Sequence, residues 1–183
     1  MKTAVGERQL LRLDYVNHFL AEFAISPSCL AESTRKELDE WARQRLLIDD
    51  QPSANWRAVV LHLAVAVECQ LAASLGRIQL LTFFGKKSAL GTKLVKLRKV
   101  TLDSSAEHQL AARGINPAFV KSELADLVSR LAASRNPKIH GSAHLEHFTT
   151  KDANEMRQLA GLILRGVSGG SGQETAVEHC GGL

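Results

Sequence analysis

The sequence predicts an all-α fold. Leucine and alanine are abundant, only 5% of the 183 residues are aromatic, and the chain has four prolines. This composition favours helices over strands. Apolar residues recur every three to four positions in several long segments, which is the period of a helix with one buried face. Ser, Thr, Gly and Pro residues lie where these segments begin and end, as expected for helix boundaries.

The first half of the chain contains three predicted helices. The first covers residues 7–24, and the second begins near Thr34, where Thr34 and Glu37 have the spacing of a capping box. The third, residues 53–76, is the predicted central helix, because alanines widen its apolar face, and Gly76 would cap its C-terminal end. The apolar face of the first helix is predicted to comprise Leu10, Leu13, Val16, Phe19, Leu20 and Phe23.

The second half begins with two short predicted helices, residues 89–99 and 104–112, the latter ending at Gly114. Pro117 then suits the first turn of a helix that runs to residue 135. A last helix starts near Thr149, with Asp152 at the capping-box position. From residue 168 the chain is rich in glycine and polar residues, which predicts a flexible tail over 168–183.

Charge and cysteine content narrow the range of functions. The net charge is +4, which permits a nucleic-acid partner without requiring one. The three cysteines are odd in number and lack CxxC spacing, so we expect neither a disulfide framework nor a zinc site. No signal peptide and no uninterrupted apolar run of transmembrane length is found. We therefore expect a cytoplasmic protein that has no membrane partner.

Residues 134–142 read SRNPKIHGS and contain the strongest candidate site. Arg135 lies four residues after Leu131 and so continues the buried face of its helix, where a guanidinium needs a carboxylate, a phosphate or solvent. Asn136 and Pro137 can end this helix and start a new turn, which would bring His140 back towards Arg135. The alternative is a helix-end arginine that binds carbonyl groups or extends into solvent.

A glutamate on the central helix is a possible partner for this arginine. Glu68 lies between Ala64 and Leu71 on the apolar face of the predicted helix, and a half-buried glutamate is normally paired. It could bind Arg135 or another basic side chain. A structural ion pair between two helices and a supporting role in catalysis are both open at this point.

Two further clusters of side chains could bind a ligand. His140, His144 and His147 lie close together, but no HExxH pattern or additional ligand accompanies them, so we predict neither a metal site nor a cofactor. The other cluster is basic and could follow a nucleic-acid backbone, or it could be a solvated helix face. It comprises Lys86, Lys87, Lys93, Lys96, Arg98 and Lys99.

The pattern from residue 55 to residue 166 resembles the HEPN domain (higher eukaryotes and prokaryotes nucleotide-binding). Arg135-Asn136-x-x-x-His140 looks like the RNxxxH form of its Rx4–6H motif. The apolar helix AVVLHLAVAVECQLA, the segment SALGTKLVKLRK and the Thr-capped final helix are also similar to HEPN segments. The resemblance would make residues 1–167 one helical HEPN-like domain, with residues 1–50 as an N-terminal extension and 53–167 as the core.

The resemblance implies an up-down helical bundle that dimerises, with the Arg and His of two protomers facing one another. Many HEPN proteins are metal-independent endoribonucleases, acting as toxins beside an antitoxin or as antiphage effectors. Arg135 would hold the scissile phosphate, His140 would act as general acid or base, Asn136 would orient either group, and Glu68 would support them. Other HEPN proteins bind nucleotides or only assemble with partners. One toxin subgroup has a tyrosine two residues after the histidine, where this chain has Ser142.

Overall fold

The computed structural model describes residues 2–49, 51, 54–135 and 148–169, with side chains from residue 9 onward. These residues form an all-α helical bundle without strands, which confirms the predicted fold class. Short 3-10 turns cover Pro27–Cys29 and Thr82–Gly85. The helices are α1 (Lys2–Glu22), α2 (Glu32–Ile48), α3 (Arg57–Leu75), α4 (Leu90–Leu97), α5 (Ser104–Ala111), α6 (Pro117–Ser122), α7 (Leu124–Arg135) and α8 (Thr150–Val167).

Helix α3 lies at the centre of the bundle. It packs mainly against α2 and α8, while α7 packs on α8 and also contacts α3, and α1 packs on α2. Among the described helices, α3 alone is long and apolar enough to cross a membrane, with a mean hydropathy of 1.8. Core helices pass the same test, and residues of α3 such as Leu63, Val67 and Leu71 are buried by its neighbours. One apolar core joins α1 and α2 to the helices that follow.

The first helix is only partly buried along its predicted face. Phe19, Leu20 and Phe23 belong to the core, as predicted, whereas Leu10 and Leu13 are 63% and 51% exposed. The helix also begins earlier than predicted, at Lys2. The N-terminal half of α1 therefore has apolar residues at helical spacing, but no other helix among the described residues covers them.

The predicted capping box at the start of α2 is wrong. The helix begins one turn earlier, with Ala31 as its N-cap. The Ala31 amide donates to Oε1 of Gln70 at 2.9 Å, and the Thr34 hydroxyl donates to the same oxygen at 3.0 Å. Oε2 of Glu37 instead accepts a hydrogen bond from Nδ1 of the His62 ring at 2.8 Å. Gln70 and His62 of α3 thus bind Thr34 and Glu37, the two residues that the sequence pattern assigned to a capping box.

The predicted helix over residues 117–135 is divided in two at Glu123. Asn116 caps α6 by accepting a hydrogen bond from the Ala118 amide, and Pro117 occupies the first helical position. The Ser122 hydroxyl donates to the Ala118 carbonyl at 2.7 Å, a back-bonding pattern that bends helices. After the break, α7 buries Leu124, Val128 and Leu131.

Two glycines and the end of α8 fix the remaining boundaries. Gly114 follows α5 with φ +70°, a conformation that glycine adopts without steric cost. Gly76 is the C-cap of α3, as predicted, and a Cβ there would lie 2.8 Å from the Gly85 amide nitrogen. Ser168 caps α8 and is buried, so the predicted tail begins no earlier than Gly169. The remainder of that tail, residues 170–183, lies outside the described residues.

Candidate functional site

Arg135 and Glu68 form an ion pair between α7 and α3. Nη1 of Arg135 donates a hydrogen bond to Oε1 of Glu68. The two side chains are 30% and 24% exposed, so the pair lies at the edge of the core. Each residue continues an apolar face, Arg135 one turn after the buried Leu131 and Glu68 one turn after the buried Ala64. The pairing is one of the two alternatives that the sequence left open for this glutamate.

The ion pair leaves part of the guanidinium available. The recorded hydrogen bond to Glu68 uses Nη1, whereas a guanidinium carries five N–H donors on three nitrogens. Within the described part of the chain, no hydrogen bond is recorded for Nε or Nη2 of Arg135. The carboxylate therefore fixes the orientation of the arginine and offsets its charge while leaving donors that could bind an oxyanion.

The segment that follows Arg135 lies outside the described residues. It includes Asn136 and His140, as well as the other two histidines of the cluster, so their predicted roles stay predictions. The chain returns at Phe148, whose carbonyl accepts a hydrogen bond from the Trp56 amide at 3.0 Å. The Phe148 amide donates to Oδ1 of Asn55 at 3.2 Å. Arg135 is thus attached to α3 at Glu68, and Phe148 is attached to the N-cap of α3, Trp56. These two points are twelve residues apart, or about 18 Å along the helix axis at 1.5 Å per residue.

A capping box holds the start of α8 next to this return point. The Thr149 hydroxyl and amide are both hydrogen-bonded to the Asp152 carboxylate at 2.7 Å, and the Asp152 amide donates to the Thr149 hydroxyl at 3.3 Å. The hydrogen bond from the Thr149 side chain, followed by that from its backbone, lowers the pKa of Asp152. This confirms the predicted cap and defines where the chain re-enters the bundle.

The basic cluster is mostly a surface feature of α4 and its flanks. The ammonium group of Lys93 departs from this pattern, since Lys93 is only 6% exposed and its Nζ donates to the Phe84 carbonyl at 3.0 Å. This buried position argues against a contact between Lys93 and nucleic acid, because the side chain holds α4 against the preceding 3-10 turn. The exposed members are Lys86, Lys87, Lys96, Arg98 and Lys99.

The exposed basic residues are not all free of protein contacts. Nη2 of Arg98 donates to the Ser129 hydroxyl of α7 at 3.1 Å. Arg98 also lines a cleft of about 250 Å³ beside α6 and α7, together with Lys121 and Asp126. Arg98 is therefore an exposed member of the cluster whose side chain is hydrogen-bonded to the fold, and it links the basic surface to the helix that ends at Arg135.

Gln70 was not predicted from the sequence, yet it has the most hydrogen-bond partners of the buried polar side chains that the structure describes. Its amide nitrogen donates to the Cys29 carbonyl at 3.2 Å and to the Ser74 hydroxyl at 2.9 Å, in addition to the two bonds that its oxygen accepts. A glutamine between Cys69 and Leu71 on an otherwise apolar helix was the available signal. Because three of its four partners, Cys29, Ala31 and Thr34, lie 36 or more residues away, only the fold reveals its role as a link between α2 and α3.

The chain matches no protein-family model, and no curated protein and no solved structure matches it either. The resemblance to HEPN domains consequently rests on the residues of the chain itself.

Proposed function

We propose that the chain is a metal-independent endoribonuclease of the HEPN type. The observation that carries the proposal is the Glu68–Arg135 pair. It holds a guanidinium at the edge of the core, at the last residue of α7, with donors left for a phosphate. His140 follows five residues later in the sequence. An arginine that binds phosphate and a histidine that transfers protons are the two groups that this reaction needs.

The chemistry uses the nucleophile that RNA itself carries. The 2′-hydroxyl attacks the adjacent phosphorus, the P–O2′ bond forms and the P–O5′ bond breaks, giving a 2′,3′-cyclic phosphate and a 5′-hydroxyl. His140 accepts the proton of the attacking hydroxyl or donates one to the leaving oxygen, because its unperturbed pKa lies near neutrality. Arg135 stabilises the charge on the phosphate oxygens. Asn136 orients one of these groups, and no metal or cofactor takes part.

A homodimer would complete such a site. A general base must be unprotonated, whereas a general acid must carry a proton. A second protomer would supply its own His140 as the complementary acid. The exposed basic surface around α4, with Arg98 fixed against α7 by Ser129, would bind the RNA backbone beside the site. By resemblance, the cellular role would be that of a toxin or antiphage effector in the cytoplasm, with an antitoxin or defence protein as a further partner.

The decisive experiment is cleavage of RNA by the purified protein in EDTA. Wild type should cut RNA. His140→Ala should reduce the rate by about 10²-fold or more because it removes acid–base catalysis, and Arg135→Ala should reduce it by about 10²-fold or more because it removes donors to the developing phosphate charge. Arg130→Ala, an exposed arginine on the same helix, and His108→Ala, an exposed histidine on α5, are matched controls and should retain the wild-type rate.

Two results would reject the nuclease. One is the absence of cleavage by the wild-type protein. The other is equal cleavage by wild type and both site variants, which would indicate a contaminating nuclease. Products that carry a 3′-phosphate without a cyclic intermediate would reject the 2′-hydroxyl mechanism even if RNA is cut.

A second candidate function is a non-catalytic HEPN-like module that binds a nucleotide or assembles with a partner protein. The observation that favours it is the pairing itself, because Glu68 already neutralises Arg135 and joins α3 to α7. Mass measurements in solution distinguish this candidate. If the wild-type protein cuts no RNA and Arg135→Ala changes the mass of the assembly in solution, the non-catalytic module is supported over the nuclease.

A further inference from the structure

Half of the most apolar helix is left uncovered by the rest of the described structure. Helix α3 has a mean hydropathy of 1.8 over its most apolar window of 18 residues, yet only 50% of that window is buried. Its main neighbours are α2 and α8. A helix that is apolar all round is normally buried all round, so the other half of α3 needs a covering surface that the described residues do not supply.

The uncovered side of α3 is a row of five apolar residues, which we call the α3 stripe. All five are half-buried, and none belongs to the apolar core or to the partly buried residues that pack against it. Their spacing of three, four, four and three residues follows the helical period, so they lie on one side of the helix. The stripe comprises Ala58, Leu61, Val65, Cys69 and Ala72.

Paired polar side chains border the stripe on both sides. Glu68 and His62 each lie about 60° around the helix from Val65, in opposite directions. Glu68 is paired with Arg135 of α7, and His62 is hydrogen-bonded to Glu37 of α2 at 2.8 Å. The stripe itself contains no charged residue. An apolar centre inside a polar rim is the anatomy of a protein–protein contact, whereas in a membrane this rim would have to enter the hydrocarbon.

The order of side chains along the stripe is symmetric about Val65, which lies near the middle of α3. Leu61 and Cys69 are four residues to either side of it, and Ala58 and Ala72 are seven residues to either side. A two-fold axis at Val65 would place each alanine opposite an alanine of a second copy, and the larger Leu61 opposite the smaller Cys69. A two-fold interface requires such self-complementarity, because the same patch must fit itself.

We propose that a second copy of this chain docks on the α3 stripe, with the two α3 helices antiparallel and Val65 on the two-fold axis. The axis keeps each edge of the stripe on one side of the helix pair, so both Glu68–Arg135 pairs lie along the same edge. Glu68 is three residues from Val65, which places the two Glu68 residues about 9 Å apart along the helices. In this consequence the assignment rests on the proposed function, because it names the surface of the homodimer that would unite two sites.

Sedimentation of the full chain measures the mass of the assembly. The wild-type protein, 19.9 kDa as a monomer, should be a dimer at micromolar concentration. Val65→Lys places two ammonium groups opposite one another, so it should raise the dissociation constant of the dimer by about 100-fold or more. Val95→Lys is the matched control, because Val95 is 55% exposed on α4 and lies outside the stripe. This variant should remain a dimer.

A cross-link tests the position of the axis even if Val65→Lys fails to fold. The background is a chain without its own cysteines, made by Cys29→Ser, Cys69→Ala and Cys180→Ser. Because Val65 faces itself across the axis, a short bis-maleimide should link two copies that carry Val65→Cys and leave copies that carry Val95→Cys unlinked. Circular dichroism reports whether each variant keeps the helix content of the wild type.

Three outcomes would overturn the proposal. They are a monomeric wild type, a dimer that Val65→Lys and Val95→Lys affect equally, and equal cross-linking of Val65→Cys and Val95→Cys. A monomer that sediments with phosphatidylcholine vesicles, and loses this binding in Val65→Lys, would assign the stripe to a lipid surface instead. RNA cleavage separates the contact from the nuclease. A dimer that cuts no RNA supports the contact and rejects the nuclease, whereas a monomer that cuts RNA does the opposite.

Discussion

The Glu68–Arg135 pair makes a measurable prediction about stability. Exposed ion pairs contribute about 0.2–1 kcal/mol, and breaking a fully buried pair costs about 3–5 kcal/mol. With side chains 24% and 30% exposed, this pair falls between the two classes. We expect Glu68→Gln and Arg135→Met each to lower the free energy of unfolding by about 1–2 kcal/mol. The double variant should lose about 1 kcal/mol less than the sum of the two.

Urea unfolding of the four proteins measures this coupling, provided that the dependence of the free energy on urea is the same in all of them. A matched cycle on Lys36 and Glu32, an exposed ion pair on α2, should give a coupling near zero. Additive effects of Glu68→Gln and Arg135→Met, within about 0.3 kcal/mol, would refute the pairing. The arginine would then lack the carboxylate that orients it for phosphate binding.

Three further predictions concern other parts of the molecule. Ala24 lies two residues after the end of α1 and has φ +52°. Ala24→Gly should therefore raise the free energy of unfolding, measured in urea, by about 1 kcal/mol, and no gain would contradict the left-handed conformation. A hydrogen bond from Arg43 lowers the pKa of Glu40 from 4.5 to about 2. Its stabilisation is therefore complete above pH 4.5 and is lost as the pH falls towards 2. Glu40→Gln should make the unfolding midpoint less dependent on pH in that range, and an unchanged dependence would reject this assignment. Lys93→Met should lower the free energy of unfolding without changing the salt dependence of RNA binding. Lys96→Met should instead leave the free energy of unfolding unchanged and reduce the slope of log affinity against log salt concentration by about 1. Equal effects of the two substitutions on RNA affinity would contradict the buried position of Lys93.

Local patterns in the sequence predicted those parts of the fold that local contacts determine. The order of the helices and the Thr149–Asp152 capping box depend on residues a few positions apart, and both were predicted. The second capping box, at Thr34, has the same spacing but is overridden by Gln70, 36 residues away. Likewise, the division of the 117–135 helix coincides with a hydrogen bond from the Ser122 hydroxyl to the Ala118 carbonyl, and the spacing of apolar residues gives no sign of this bond.

The candidate site shows the same division between local and long-range information. The period of α7 predicted that Arg135 faces the core, and the period of α3 predicted that Glu68 needs a partner. Only the packing of α7 against α3 shows that these two residues satisfy one another.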